Sequence, residues 1–297
     1  MREQNSTKGM VAAIIANTIF GLSFIFSKIA LTYTEPSMML VLRFGIAFLV
    51  MSAIALIRKD CLSLRGKPIL PLLTLGLCNP LIYFICESYG IKYTNASFSG
   101  IMIALIPMVS TVFSVIFLKE ELKKSKVKWI LLALLGVIII TVTQSTGGSI
   151  QLKGVLFMVV AVISASAFTI LSASLADRFT SFERTYIMMV VGMVAFFVMA
   201  LIQLRGAFGS VFLSAVHNGS VMGAIVFLAV ICSIAGFFCN NVAVAELSVQ
   251  RATAFTNLSP VISVVAGVLV LGENFNMVYL VGILMILLAI YRVNRVS

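Results

Sequence analysis

The sequence predicts an all-α integral membrane protein of ten transmembrane helices, arranged as two inverted five-helix repeats. Three observations predict this fold: the composition, ten apolar runs and an internal repeat. Of the 297 residues, 61% are hydrophobic and 10% are charged, whereas a soluble domain carries about a quarter charged residues. Because so few charges cannot cover a globular surface, we expect lipid to surround most of the chain.

The ten apolar runs are each close to the length that a helix needs to cross a membrane, about 20 residues. We expect helices and not open sheets, since lipid offers no hydrogen-bond partners to exposed backbone. The predicted spans are residues 9–32, 37–57, 69–90, 96–118, 127–143, 154–176, 184–204, 220–245, 252–271 and 276–292.

The basic residues predict the orientation. If the N-terminus is inside, sixteen of the 21 Lys and Arg residues fall on the inner side, three on the outer side and two within spans. Short loops rich in Lys and Arg stay in the cytoplasm. The sequence therefore predicts a multi-pass protein of the cell membrane with both termini cytoplasmic. The net charge of +11 is explained by these loops, so we expect no nucleic-acid partner.

The internal repeat appears when the sequence is shifted by 153 residues. This shift places residues 106–110 on residues 259–263, each stretch with a proline and a serine in the same register, and places Glu120 on Glu273. We therefore divide the chain into repeats at 1–146 and 147–297. Because five spans is an odd number, the second repeat enters the membrane from the opposite side. Inverted repeats are typical of alternating-access transporters, whose solute site lies near the midplane between the halves.

Several motifs together resemble the EamA-type signature of the drug/metabolite transporter superfamily. They are residues 89–97, Pro107, residues 118–121, residues 17–24 of the first span, and Pro36, Arg43 and Phe44 of the second. The resemblance covers residues 10–291. It implies a ten-helix fold with cytoplasmic termini, a central cavity lined by both halves, and export of amino acids or other metabolites.

Three ionisable residues lie clearly within spans: Lys28, Arg43 and Glu87. Intramembrane charges are costly and are candidates for function. Glu87 is the candidate proton-coupling group, and it is placed to neutralise Arg43 or Lys28. The alternative is structural: the three residues fix the outer ends of helices, and Lys28 extends its amine to the interface.

Polar and aromatic residues near the predicted midplane are candidates for solute contact, because amides and hydroxyls both donate and accept hydrogen bonds. The alternative is that they join helices to one another. The predicted substrate-binding set is Asn17, Phe24, Arg43, Asn79, Tyr83, Glu87, Ser166, Thr169, Asn240, Asn241 and Asn257.

Three prolines, Pro80, Pro107 and Pro260, interrupt predicted helices. Each removes a helix hydrogen bond, and Pro107 and Pro260 occupy equivalent repeat positions. We interpret them as hinges between inward-open and outward-open states, or as static bends.

These features predict a secondary transporter, an exporter of small metabolites such as amino acids or organic acids. The alternatives are a multidrug or cation efflux carrier coupled to protons through Glu87, and a membrane-embedded scaffold or channel. An enzyme is not expected, since the single histidine, His217, lies in a predicted outer loop and no Cys/His cluster is present. No cofactor or metal is expected. The predicted partners are a small-molecule solute and the lipid bilayer, and the sequence makes no prediction of oligomeric state.

Overall fold

The computed structural model describes residues 6–58, 62–63, 67–118, 124–146, 150–247, 255–273 and 277–295, and this part of the chain contains helices and no strands. Ten helices coincide with the predicted spans. They are α1 (Ser6–Tyr33), α2 (Pro36–Ile57), α3 (Leu70–Tyr93), α4 (Ala96–Ile103 continued by Ile106–Leu118), α5 (Lys124–Thr146), α6 (Leu152–Ser174), α7 (Ser181–Leu204), α8 (Gly219–Glu246), α9 (Leu258–Leu271) and α10 (Met277–Arg295).

The helices have the apolar surface that a membrane requires. Among the described residues, seven helical stretches are long and apolar enough to cross a membrane, and shorter apolar stretches lie in α5, α9 and α10. Large apolar side chains point outward, such as Leu56 (77% exposed) and Leu269 (79% exposed). In water such a surface would be unstable, whereas lipid covers it without cost. The predicted fold class is confirmed.

The contacts between helices show the relation between the two halves. The helices α2, α4 and α5 pack against their own repeat partners α7, α9 and α10. When the halves are exchanged, the pair α3–α6 corresponds to the pair α8–α1, and both pairs are in contact. The pair α1–α9 likewise corresponds to the pair α6–α4, and both are in contact. Exchanging the halves therefore reproduces these helix pairs, as an approximate two-fold axis requires. With five spans in each half, the repeats have opposite orientation.

The predicted hinge prolines Pro107 and Pro260 lie in the first turns of helical segments. The α4 helix is interrupted at Ala104 and Leu105, and Pro107 is the second residue of the segment Ile106–Leu118. Pro260 is the third residue of α9, which follows the 3-10 turn Phe255–Asn257. Proline fits a first helical turn because the amide there has no intrahelical acceptor. A hinge function for these prolines stays a prediction.

Helices α3 and α8 share a second irregularity at equivalent positions. Each contains a π-helical stretch, Leu77–Ile82 in α3 and Phe227–Gly236 in α8. In α3 this stretch includes Pro80, a cis peptide bond between Asn79 and Pro80, and non-helical backbone at Asn79. π-Helical turns often occur at functional sites, and both stretches lie beside the cavity described below.

One helix was not predicted. Phe208–His217, which we name the connecting helix, links α7 to α8 after a 3-10 turn at Arg205–Ala207. It has 10 residues, too few to cross a membrane, so a search for spans does not find it. The first half has no such helix between α2 and α3 in the described residues.

Candidate solute cavity

A cavity lies between the two halves, with an empty volume of about 680 Å³ including its opening. Seven helices or their adjoining turns contribute side chains to it: α1, α2, α3 and α4 from the first half, and α6, α8 and α9 from the second. The lining residues are Asn17, Phe20, Ser23, Phe24, Arg43, Asn79, Tyr83, Phe84, Glu87, Ile103, Ile106, Ala165, Phe168, Thr169, Phe237, Asn240, Thr256 and Ser259.

Aromatic rings form much of the cavity wall. The ring of Phe237 in α8 packs against Phe20 of α1 (5.2 Å between centroids), Phe84 of α3 (5.9 Å) and Phe168 of α6 (6.4 Å). These contacts join both halves at one point. Because the wall is apolar, charges that face the cavity interact more strongly than they would in water.

Arg43 is the cation of the cavity, and its side chain is not fully paired. The residue is 1% exposed. Its Nε donates to the Ser233 hydroxyl at 2.8 Å, and its guanidinium carbon lies 4.3 Å from the ring centroid of Phe84. Its Nη1 has no hydrogen-bond partner. Since a buried charged donor without a partner is costly, this nitrogen is a candidate to receive an anionic group of a solute.

Glu87 is the carboxylate of the cavity. It is 3% exposed and accepts a hydrogen bond from the Tyr83 hydroxyl at 2.7 Å. Glu87 and Arg43 form no ion pair with each other in the described part of the chain. The predicted neutralisation of Arg43 or Lys28 by Glu87 is thus replaced by a bond to Tyr83, one helical turn away, because the two side chains face the same side of α3.

Lys28 lies outside the cavity lining. Its Nζ donates to the backbone carbonyls of Ile91 (3.0 Å) and Thr94 (2.7 Å) at the end of α3. Carbonyls at a helix C-terminus have no intrahelical donor and attract cations. Lys28 therefore caps the C-terminal end of α3, and the extension of its amine to the interface stays a prediction.

Amides and hydroxyls complete the polar part of the cavity. Asn17 donates to the carbonyl of Ala13 at 2.8 Å, and Ser259 donates to the carbonyl of Asn17 at 2.8 Å. Thr169 donates to the carbonyl of Ala165 at 2.9 Å. By contrast, Oδ1 of Asn79 is buried without a partner. The cavity thus holds one unpaired acceptor on α3 as well as the unpaired donor of Arg43.

The structure brings most of the predicted substrate-binding set to this cavity. Asn17, Phe24, Arg43, Asn79, Tyr83, Glu87, Thr169 and Asn240 line it. Ser166 and Asn241 do not line the cavity. Both side chains are fully buried between helices. Ser166 donates to the carbonyls of Val162 (2.8 Å) and Ile106 (3.2 Å). The side chain of Asn257 lies outside the described part of the chain.

Asn241 belongs to a separate buried network around Arg184. Nη1 of Arg184 donates to the carbonyl (2.8 Å) and hydroxyl (2.7 Å) of Ser172, and Nη2 donates to the carbonyl of Asn241 (3.0 Å) and the hydroxyl of Ser181 (3.4 Å). The Asn241 amide in turn donates to Thr185 at 2.9 Å. This network joins α6, α7 and α8 away from the cavity.

Sequence reasoning missed ten lining residues, including Phe20, Phe84 and Phe237. Helical spacing could have found several of them, because Phe20 lies three residues after Asn17 and Phe237 three residues before Asn240. Residues three or four apart share a helix face. Within the described residues, no three His, Cys, Asp or Glu side chains come together as a metal site.

Comparison with known proteins identifies the family. The model of the EamA-like transporter family matches residues 7–142 and again residues 152–295. The uncharacterized transporter YcxC of Bacillus subtilis is 32% identical over 297 residues, covering 99% of this chain and 95% of that protein. An uncharacterized transporter of Archaeoglobus fulgidus is 25% identical over 288 residues, covering 97% of this chain and 99% of that protein.

A solved crystal structure has the same fold, with a TM-score of 0.69 and 16% sequence identity, covering 97% of this chain and 96% of that chain. The two matches to the family model cover most of the sequence, one in each half. The chain is therefore a transporter that belongs to the EamA-like transporter family.

Proposed function

We propose that this protein is a secondary carrier that exports small carboxylate-bearing metabolites by alternating access between its two halves. The observation that carries the proposal is Arg43, a buried cation in the cavity wall whose Nη1 has no partner. A carboxylate placed there completes the hydrogen bonding of the guanidinium, and such charge-assisted bonds are among the strongest in proteins.

Amino acids fit this cavity better than organic acids do. Oδ1 of Asn79 and the carboxylate of Glu87 supply acceptors for an ammonium group. The aromatic wall around Phe237 offers an apolar surface for the solute's side chain. An organic acid without an amine meets Arg43 but leaves the Asn79 acceptor unpaired, which costs binding energy.

The distribution of basic residues and the family resemblance support the proposal of export. Sixteen basic residues on one side and three on the other favour a protein with both termini in the cytoplasm of the cell. The EamA resemblance, in turn, favours export. A cavity lined by equivalent helices of two inverted halves suits a mechanism in which one half rocks against the other.

The test is transport by purified protein in liposomes. We expect uptake of labelled amino acids that saturates with concentration and shows counterflow, with aliphatic and aromatic amino acids preferred over dicarboxylates. Cells that express the protein should also resist toxic amino-acid analogues. Flux that does not saturate would indicate a channel, and absence of flux across amino acids, organic acids, nucleosides and cationic drugs would indicate a scaffold. Either result contradicts the proposal.

A second candidate is efflux of cations or amphipathic drugs coupled to protons through Glu87. It is favoured by the position of Glu87, a buried carboxylate that lines the cavity beside aromatic rings and hydrogen bonds to Tyr83. Glu87→Gln keeps the shape of the side chain and removes its proton exchange. If this variant retains the full pH dependence of transport, coupling through Glu87 is excluded.

A further inference from the structure

A groove runs along the outer surface of the contact between α1 and α8, which we name the α1–α8 groove. It consists of two adjoining cavities with empty volumes of about 950 and 680 Å³. Both cavities are lined by Lys8, Phe238 and Val242. Because α1 belongs to the first half and α8 to the second, the groove follows a boundary between the two halves.

The first part of the groove is apolar. Val11 and Ile15 of α1 lie one turn apart and face Phe238 of α8, and these side chains are 51%, 44% and 40% exposed. Exposed apolar side chains on a membrane protein contact lipid tails. A concave surface of this kind fits an acyl chain that lies along the helices.

The second part of the groove lies where α1 and α7 begin, and we call it the polar part because it carries the charged and hydroxyl side chains, although its other lining residues are apolar. It contains Lys8, Thr180 and Ser181, together with Glu246. Lys8 pairs with Glu246 at 3.3 Å, and the Lys8 side chain is 60% exposed. The capping box of α7 engages the amides of Thr180 and Glu183, so this helix end presents the amides of Ser181 and Phe182, and such ends attract anions.

Arg184 adds a buried positive charge to the wall of this polar part. It is 0% exposed, and the hydrogen bonds of its guanidinium go to neutral oxygens of Ser172, Ser181 and Asn241. Among the described residues, no carboxylate forms an ion pair with it. The neighbouring carboxylate of Glu183 is already engaged by Lys67, at 2.7 and 2.8 Å. A buried cation without a counter-ion favours an anion nearby.

We propose that the α1–α8 groove binds one anionic phospholipid. Its phosphate lies between Lys8 and the first turn of α7, and one acyl chain lies along Val11, Ile15 and Phe238. A ligand with both a phosphate and an apolar chain matches the two parts of the groove, whereas free phosphate matches one. Because the lipid binds the folded protein across both halves, it stabilises the folded state by an amount that increases with the lipid concentration relative to Kd.

The experiment measures thermal unfolding of the full chain in detergent, with phosphatidylglycerol or phosphatidylcholine of identical acyl chains added. We expect phosphatidylglycerol to raise Tm by an amount that grows with the logarithm of its concentration above Kd, and phosphatidylcholine to have little effect. Lys8→Gln should weaken the apparent affinity for phosphatidylglycerol about fivefold, since a basic residue near an anionic lipid contributes about 1 kcal/mol. Ile15→Trp, which fills the acyl part, should abolish the shift.

Leu135→Trp is the matched control, because Leu135 is 52% exposed on α5, far from the groove in the chain. It should respond to phosphatidylglycerol as the wild type does. Native mass spectrometry should find one phosphatidylglycerol retained by the wild type and none by Ile15→Trp. Equal shifts with the two lipids, or wild-type responses from both groove variants, would overturn the proposal. A full shift with inorganic phosphate alone would also overturn it, because it would indicate a free-anion site.

Discussion

Arg43 and Arg184 are two fully buried arginines, 1% and 0% exposed, one in each half of the molecule. Arg184 makes four hydrogen bonds through its two Nη groups, and its Nε has no partner among the described residues. Arg43, which lines the cavity, makes one through Nε, and its Nη1 has no partner among the same residues. Burial alone therefore does not distinguish a binding residue from a structural one. The distinction lies in how many of the donors the protein itself satisfies and in whether the side chain lines the cavity.

The surroundings of the two arginines differ in the same way. Around Arg184, Ser172 also donates to Oδ1 of Asn241 at 3.0 Å, and the Asn241 amide donates to Thr185. This network fixes three helices of the second half relative to one another. Around Arg43, the nearest contacts are the ring of Phe84 and one hydroxyl. We infer that the Arg184 network gives rigidity and that Arg43 is held ready for a solute.

Substituting Arg43 by Gln should have the largest effect on transport. We expect the transport efficiency (kcat/KM) for amino acids to fall about 100-fold, because a buried charged contact to a carboxylate is worth about 3 kcal/mol. The Tm should change by less than about 3 °C, since the lost Ser233 bond is offset by removal of a buried charge. Uptake in liposomes and thermal unfolding in detergent measure the two quantities. Wild-type transport by Arg43→Gln would show that the solute carboxylate binds elsewhere.

Substituting Arg184 by Gln, the same change at the other arginine, should give the opposite result. We expect the free energy of unfolding to fall by about 3 kcal/mol, because the carbonyls of Ser172 and Asn241 lose their donors. This loss corresponds to a decrease in Tm of roughly 8 °C. The KM of the protein that remains folded should equal that of the wild type, because Arg184 does not line the cavity. If KM rises tenfold at unchanged Tm, the division of roles between the two arginines is wrong.

The contrast between the arginines also shows what the sequence could predict. Arg43 stood out because it interrupts an apolar span, where charges are rare. Arg184 lies three residues after the start of α7, so its charge was counted with the inner loops. Its burial depends on Ser172 and Asn241, which come from helices far apart in sequence. The hydropathy of one helix contains no information about such partners.

The same limit applies to the cavity as a whole. The positions of the spans followed from run length and charge, because lipid imposes a simple rule on each helix separately. The face shared by Tyr83 and Glu87 could have been predicted from their spacing of four residues, whereas the position of Asn79 depends on the π-helical stretch of α3. The exclusion of Ser166 from the cavity, in contrast, depends on how α6 is rotated against α4, which is decided by packing between helices. The connecting helix was not predicted, because its 10 residues are fewer than the length by which spans are recognised.

Substituting Ser172 by Ala sharpens the comparison on the structural side. The Ser172 hydroxyl accepts from Arg184 and donates to Asn241, so its loss removes two buried hydrogen bonds. The backbone carbonyl of Ser172 still accepts from Arg184. We therefore expect a loss of about 1–2 kcal/mol in the free energy of unfolding, smaller than that of Arg184→Gln. Chemical denaturation in detergent should measure it, with Ser174→Ala as the control because the Ser174 hydroxyl is exposed. Equal stabilities of the two variants would exclude a structural role for the network.

Substituting Ser233 by Ala is the corresponding change beside Arg43, and its expected effect is the smallest. Ser233 lies in the π-helical stretch of α8 and accepts the single hydrogen bond that Arg43 donates to the protein. Without it, the guanidinium keeps its contact with Phe84 but loses its orientation. We expect KM for amino acids to rise roughly threefold, since one such bond contributes about 1 kcal/mol or less, with Tm nearly unchanged. Ser233→Thr, which keeps the hydroxyl, should restore the wild-type KM. A large decrease in Tm with unchanged KM would instead place Ser233, and with it Arg43, in a structural network like that of Arg184.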